Sequence, residues 1–100
     1  MSDHARTIRV TTFTAAPGQF DNLVKAAASN ARDAAGADGC FGAQVLRPDG
    51  EPDVVAVISR WRDQDALDQF LDAHERAAHN AVAEFIAGPG TSTHYLALPS

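Results

Sequence analysis

The apolar positions of this chain switch repeatedly between a period of two and a period near 3.6, and each switch marks an element. Thr7 to Ala15, TIRVTTFTA, alternates, with Ile8, Val10 and Thr12 on one face and Arg9, Thr11 and Phe13 on the other. It predicts a strand, closed by Pro17-Gly18. From Gln19 to about Ala35 the apolar residues Phe20, Leu23, Val24, Ala27, Ala31 and Ala34 recur every three or four positions, which predicts a helix that stops at Gly36. Gly39 to Arg47 and Val54 to Trp61 predict two further strands. The turn-forming run PDGEPD between them makes an antiparallel hairpin. Asp63 is a good N-cap, with Asp65 adding negative charge to the first turn of a second helix. That helix carries Leu67, Phe70, Leu71, His74 and Ala78 on one side, extended by Val82 and Phe85, and ends at Gly88-Pro89-Gly90. Thr91 to Leu98 predicts a last strand.

The order β-α-β-β-α-β is that of a ferredoxin-like α+β fold with an antiparallel sheet. Strand three is apolar on both faces, with Val54, Ala56 and Ile58 on one and Val55, Val57 and Trp61 on the other. Helices cover one face of such a sheet, and this chain has no third layer for the other. The expectation is a homodimer joined sheet to sheet, giving a dimeric α/β-barrel. One hundred residues suit a single domain spanning 1–100, with residues 1–5, including His4, as a flexible tail.

Composition mainly excludes. Eight Lys and Arg against 13 Asp and Glu leave a net charge of −5, and the basic residues are dispersed, so no phosphate-neutralising patch for nucleic acid is expected. No apolar run is long enough to span a membrane, and the N-terminus lacks a secretory signal core, so cytoplasmic residence is expected. Cys40 stands alone, which rules out an internal disulfide and a cysteine-based zinc site; it reads as a small hydrophobe at a strand start. There is no phosphate-binding glycine loop and no HExxH. His74 and His79 are five apart, which does not match the i,i+4 spacing of two metal ligands on one helix face, so no metal is expected.

The segments DGCFG (38–42) and WRDQDAL (61–67), within this element order, resemble the antibiotic biosynthesis monooxygenase superfamily over Thr7 to Leu98. The resemblance implies a dimeric α/β-barrel with a cavity between helices and sheet. It also implies cofactor-independent oxidation of an aromatic, phenolic or quinol-type small molecule, in which an electron-rich phenolate itself reduces O2. His74, on the apolar stripe four residues after Phe70, would then be the base or proton relay. Phe70 stands where many relatives carry a helix histidine. Trp61, Phe70, Phe41, Leu67 and His79 would line the substrate pocket.

Two other readings stay open. One is a non-catalytic protein that binds a small hydrophobic ligand, with structural histidines. The other is a haem-binding or haem-degrading relative, in which His79 would be the proximal ligand. Haem degraders also carry a tryptophan in the helix and an asparagine in the first strand; Phe70 and Thr11 or Thr12 occupy those places here. The polyketide-tailoring branch carries an asparagine four residues before its tryptophan, where this chain has Val57. Its pocket tyrosine and arginine fall at Leu67 and near Ala81.

Overall fold

The computed structural model describes residues 5–98 and has the expected element order. It runs β1 (Thr7–Thr14), α1 (Phe20–Ala35), β2 (Cys40–Leu46), β3 (Val54–Trp61), α2 (Gln64–Val82), a 3-10 turn (Ala83–Phe85) and β4 (Thr91–Leu96). Most of the anticipated tail, including His4, lies outside the described residues. Pairing already begins at Arg6, whose backbone N–H donates to the Trp61 carbonyl at 2.9 Å.

The four strands form one antiparallel sheet in the order β2-β3-β1-β4. β1 and β3 pair Thr7 with Trp61, Arg9 with Ser59, Thr11 with Val57 and Phe13 with Val55. Directly paired residues point to one side of a sheet, so these eight share a face. It is the face that both helices cover, since Leu23, Ala27 and Val82 pack on Val55 while Ala34, Ala66 and Leu67 pack on Trp61. The core is thus split into two clusters, one beneath each end of α2.

The polar alternation of β1 therefore points inward. Arg9 and Thr11 lie on the helix side, and Ile8, Val10 and Thr12 lie on the opposite face with Val54, Ala56 and Ile58. Leu46 and Tyr95 on that outer face are 40% and 54% exposed. A sheet with helices on one side normally keeps its apolar residues under them; here β1 reverses the rule.

The β3-to-α2 corner is tightly built. The Asp63 carboxylate accepts the backbone N–H of Ala66 at 2.9 Å, as the N-cap reading expects. That hydrogen bond, helped by the neighbouring Arg62, holds the Asp63 carboxyl below its ordinary value. Gly39 enters β2 with φ 81°, and a Cβ there would sit 2.6 Å from the Ala66 Cβ, so only glycine fits. No described helix is long and apolar enough to cross a membrane.

Candidate functional site

α2 is fastened at both ends and stands clear of the sheet between them. At its start Ala66 and Leu67 are buried against Trp61 and Ala34; at its end Val82 is buried against Leu23 and Ala27. Across the middle, the Asn30 side-chain amide of α1 donates to the Ala78 carbonyl at 3.0 Å. The sheet beneath this stretch presents Arg9, Thr11, Ser59 and Ser92 alongside Phe13 and Val57. A cavity of about 450 Å³ remains, with these residues as floor, α2 as roof and the last turns of α1 as one wall. That size suits a small organic ligand.

One wall is a ladder of rings. Trp61 and Phe70 have centroids 5.2 Å apart at 38°, and Phe70 and His74 have centroids 4.6 Å apart at 27°. Helical i,i+4 spacing makes the second contact, and the strand-to-helix corner makes the first. Trp61 is fully buried, and its indole N–H donates to the Ser59 hydroxyl at 2.8 Å. Trp61 and Leu67, both 0% exposed, therefore back the cavity from behind, whereas half-buried Phe70 and exposed His74 face its open space.

The floor is polar and cationic around Arg9. The Arg9 guanidinium donates through Nη2 to the Ser92 hydroxyl at 3.0 Å, and that hydroxyl shares a 2.9 Å hydrogen bond with Thr11. Glu75 of α2 approaches the same nitrogen at 3.6 Å. Burial pulls the Arg9 guanidinium below its ordinary value, and Glu75 pulls the other way. Sequence reasoning did not single out Arg9, Thr11, Ser59 or Ser92 as site residues. The available signal was the arginine inside an alternating strand; alternation defines two faces but does not say which one is covered.

His79 also borders the cavity, near Ala78 and Ala81. Phe41 does not join the group. The register shifts between Cys40 and Gly42, and Phe41 is 46% exposed away from the cavity lining. Cys40 is half-buried against the Trp61 cluster, with its thiol donating to the Gly42 carbonyl at 3.4 Å. His94, paired with Arg9, takes the helix side of β4, and Tyr95 takes the outer side. Among the described residues no three His, Cys, Asp or Glu side chains gather as a metal-binding group.

The sequence model of the antibiotic biosynthesis monooxygenase family matches residues 7–88, from β1 through the 3-10 turn after α2. The chain belongs to that family. Among solved structures, the antibiotic biosynthesis monooxygenase fold of this chain is similar to that of a "putative antibiotic biosynthesis monooxygenase" from Deinococcus radiodurans, with a TM-score of 0.84, 19% identity and 94% of each chain covered. It is also similar to Rv0793 from Mycobacterium tuberculosis, with a TM-score of 0.82, 18% identity, and 96% of this chain and 98% of that one covered. The Nitrosomonas europaea protein NE2512, of unknown function, matches with a TM-score of 0.82 and 20% identity, over 99% of this chain and 95% of that one. At these identities the solved structures establish the shared fold and leave the chemistry to the site. No curated protein matches the sequence.

Proposed function

We propose that this family member is a single-domain, homodimeric monooxygenase that oxidises a small aromatic molecule of phenolic or quinol type without a cofactor. The observation that carries the reading is the Phe70–His74 stack on the open side of a cavity of about 450 Å³. A planar ring fits against Phe70, and His74 beside it is the group to accept the phenolic proton. The resulting phenolate supplies the electrons to O2. One oxygen atom enters the substrate as a new carbonyl at a carbon that gives up two hydrogens, and the other oxygen leaves with those hydrogens as water. The protein's work is to bind, to deprotonate and to keep bulk water away from the reacting carbon.

The dimer belongs to the same reading. Half-buried Ile8, Val10 and Ile58, with exposed Leu46 and Tyr95, leave an apolar outer sheet face that one chain does not fully cover, and a second copy of that face is its natural complement.

A second reading, a non-catalytic carrier of a small hydrophobic ligand, draws support from His74 itself. It is exposed, and among the described residues no carboxylate pairs with it to fix its orientation. Oxygen-electrode assays across anthrone-type and dihydroxynaphthalene-type phenols separate the two. Enzyme-dependent oxygen uptake is the expected result; saturable binding with no uptake across the series would favour the carrier.

A further inference from the structure

Arg9 is the one cation whose guanidinium faces the cavity from the sheet, and its hydrogen bonding is incomplete. Nη2 is held by Ser92 at 3.0 Å, while Nε is buried with no hydrogen-bond partner among the described residues. Guanidinium carries five donors in a rigid fork and keeps its charge inside proteins. Among the described residues the carboxylate that approaches it is Glu75, at 3.6 Å, beyond hydrogen-bonding distance. The Glu75 side chain is 63% exposed and the Arg9 side chain 20% exposed, so the anion can swing into water while the cation cannot. Asp33 also borders the cavity, but it is exposed in the last turn of α1. A partly desolvated cation that borders the cavity and holds its anion only loosely is arranged to receive another anion.

We infer that Arg9 is a specificity-determining residue, and that the ligand is an aromatic ring bearing an ionised oxygen, carboxylate or acidic phenolate, which the Arg9 fork takes while the ring lies on Phe70 and His74. Glu75 is then a displaceable stand-in for that anion. This rests on the aromatic-ligand reading of the cavity and narrows it from phenols in general to anionic ones. The serine and threonine hydroxyls around Arg9 hold the fork in place, and the aromatic ladder leaves the ring in one plane. Together they define both ends of the ligand.

Isothermal titration with two matched pairs tests it: naphthoate against neutral naphthamide, and para-nitrophenolate against neutral para-nitroanisole. The wild-type protein is expected to prefer the anion at least about tenfold, as a charged hydrogen bond implies. A preference in one pair only would identify that oxygen type as the source. Arg9→Gln should erase the preference by weakening the anion far more than the neutral analogue, and Arg9→Lys should restore part of it. Glu75→Gln, which removes the competing anion from an exposed position, should tighten the anion. Should Arg9→Gln fail to fold, by circular dichroism, Arg9→Lys and Glu75→Gln decide the matter. Equal affinity within both pairs, a preference that survives in Arg9→Gln, or an anion affinity that Glu75→Gln leaves unchanged or weakens would overturn the role of Arg9 while sparing the aromatic cavity. Binding of none of the four probes would overturn both.

Discussion

His74 rests face to face on Phe70, with ring centroids 4.6 Å apart and planes 27° from parallel. The contact fixes an imidazole that is otherwise exposed, and it makes Phe70 both a wall and a support. Phe70→Leu keeps most of the apolar volume and removes both ring contacts. It is expected to cost about 1 kcal/mol of stability, the scale of an aromatic pair, measured by urea unfolding. Aromatic ligands should weaken about fivefold, for the same energetic reason. Unchanged calorimetric affinity would mean that the ring does not touch the ligand.

Two glycines with nearly the same backbone angle should respond differently to alanine. Gly39 and Gly50 have φ of 81° and 82°. A Cβ on Gly50 meets open space, while one on Gly39 meets the Ala66 Cβ at 2.6 Å. Gly50→Ala should therefore lose only the cost of left-handed backbone, of order 1 kcal/mol. Gly39→Ala must also push α2 away from β2, and should lose clearly more. Thermal melting of the pair measures the difference directly.

The helix cap makes a pH-dependent contribution of known sign. The Asp63 carboxyl titrates below its ordinary value because it accepts the Ala66 N–H and lies beside Arg62. As pH falls, the unfolded chain takes up this proton before the folded one does. The stabilisation is complete above the ordinary aspartate range and is lost as pH falls through the depressed folded value. Asp63→Asn keeps the cap without the charge. Urea midpoints of the two proteins should differ at neutral pH and converge in acid.

The sheet-to-sheet dimer can be tested at the centre of the outer face. Val10 lies on the central strand β1, opposite Ile58 on one side and Thr93 on the other. Sedimentation of the native protein should give twice the 10.6 kDa of one chain. Val10→Glu should give a folded monomer at micromolar concentration, because a carboxylate buried between two sheets has no partner there.

Much of this fold is legible in the sequence, and for local reasons. β3 runs from Val54 to Trp61 as its pattern predicts, and Asp63 starts α2 through a hydrogen bond its side chain alone dictates. The stripe of Leu23, Ala27, Ala31 and Ala34 on α1 is the buried one. The site was half legible. Phe70, His74 and Trp61 share a neighbourhood because helix and corner geometry are regular. Arg9 went unseen because alternation in β1 cannot reveal which face the helices cover, and the apolar outer face reversed the usual choice. Phe41 moved away because a one-residue irregularity at Cys40 to Gly42 breaks the alternation that would have placed it. His79, five residues beyond His74, borders the cavity as well.

The central claim is that His74 handles the phenolic proton above a cavity that binds the ring by other means. Its most direct test is oxygen uptake by His74→Phe, which retains a stacked ring on Phe70 and removes the titratable nitrogen. On the best phenol found, kcat should fall about a hundredfold to ten-thousandfold, the usual contribution of a positioned general base, while ligand affinity stays near that of the native protein. Undiminished kcat in a variant that still binds the phenol would contradict the account.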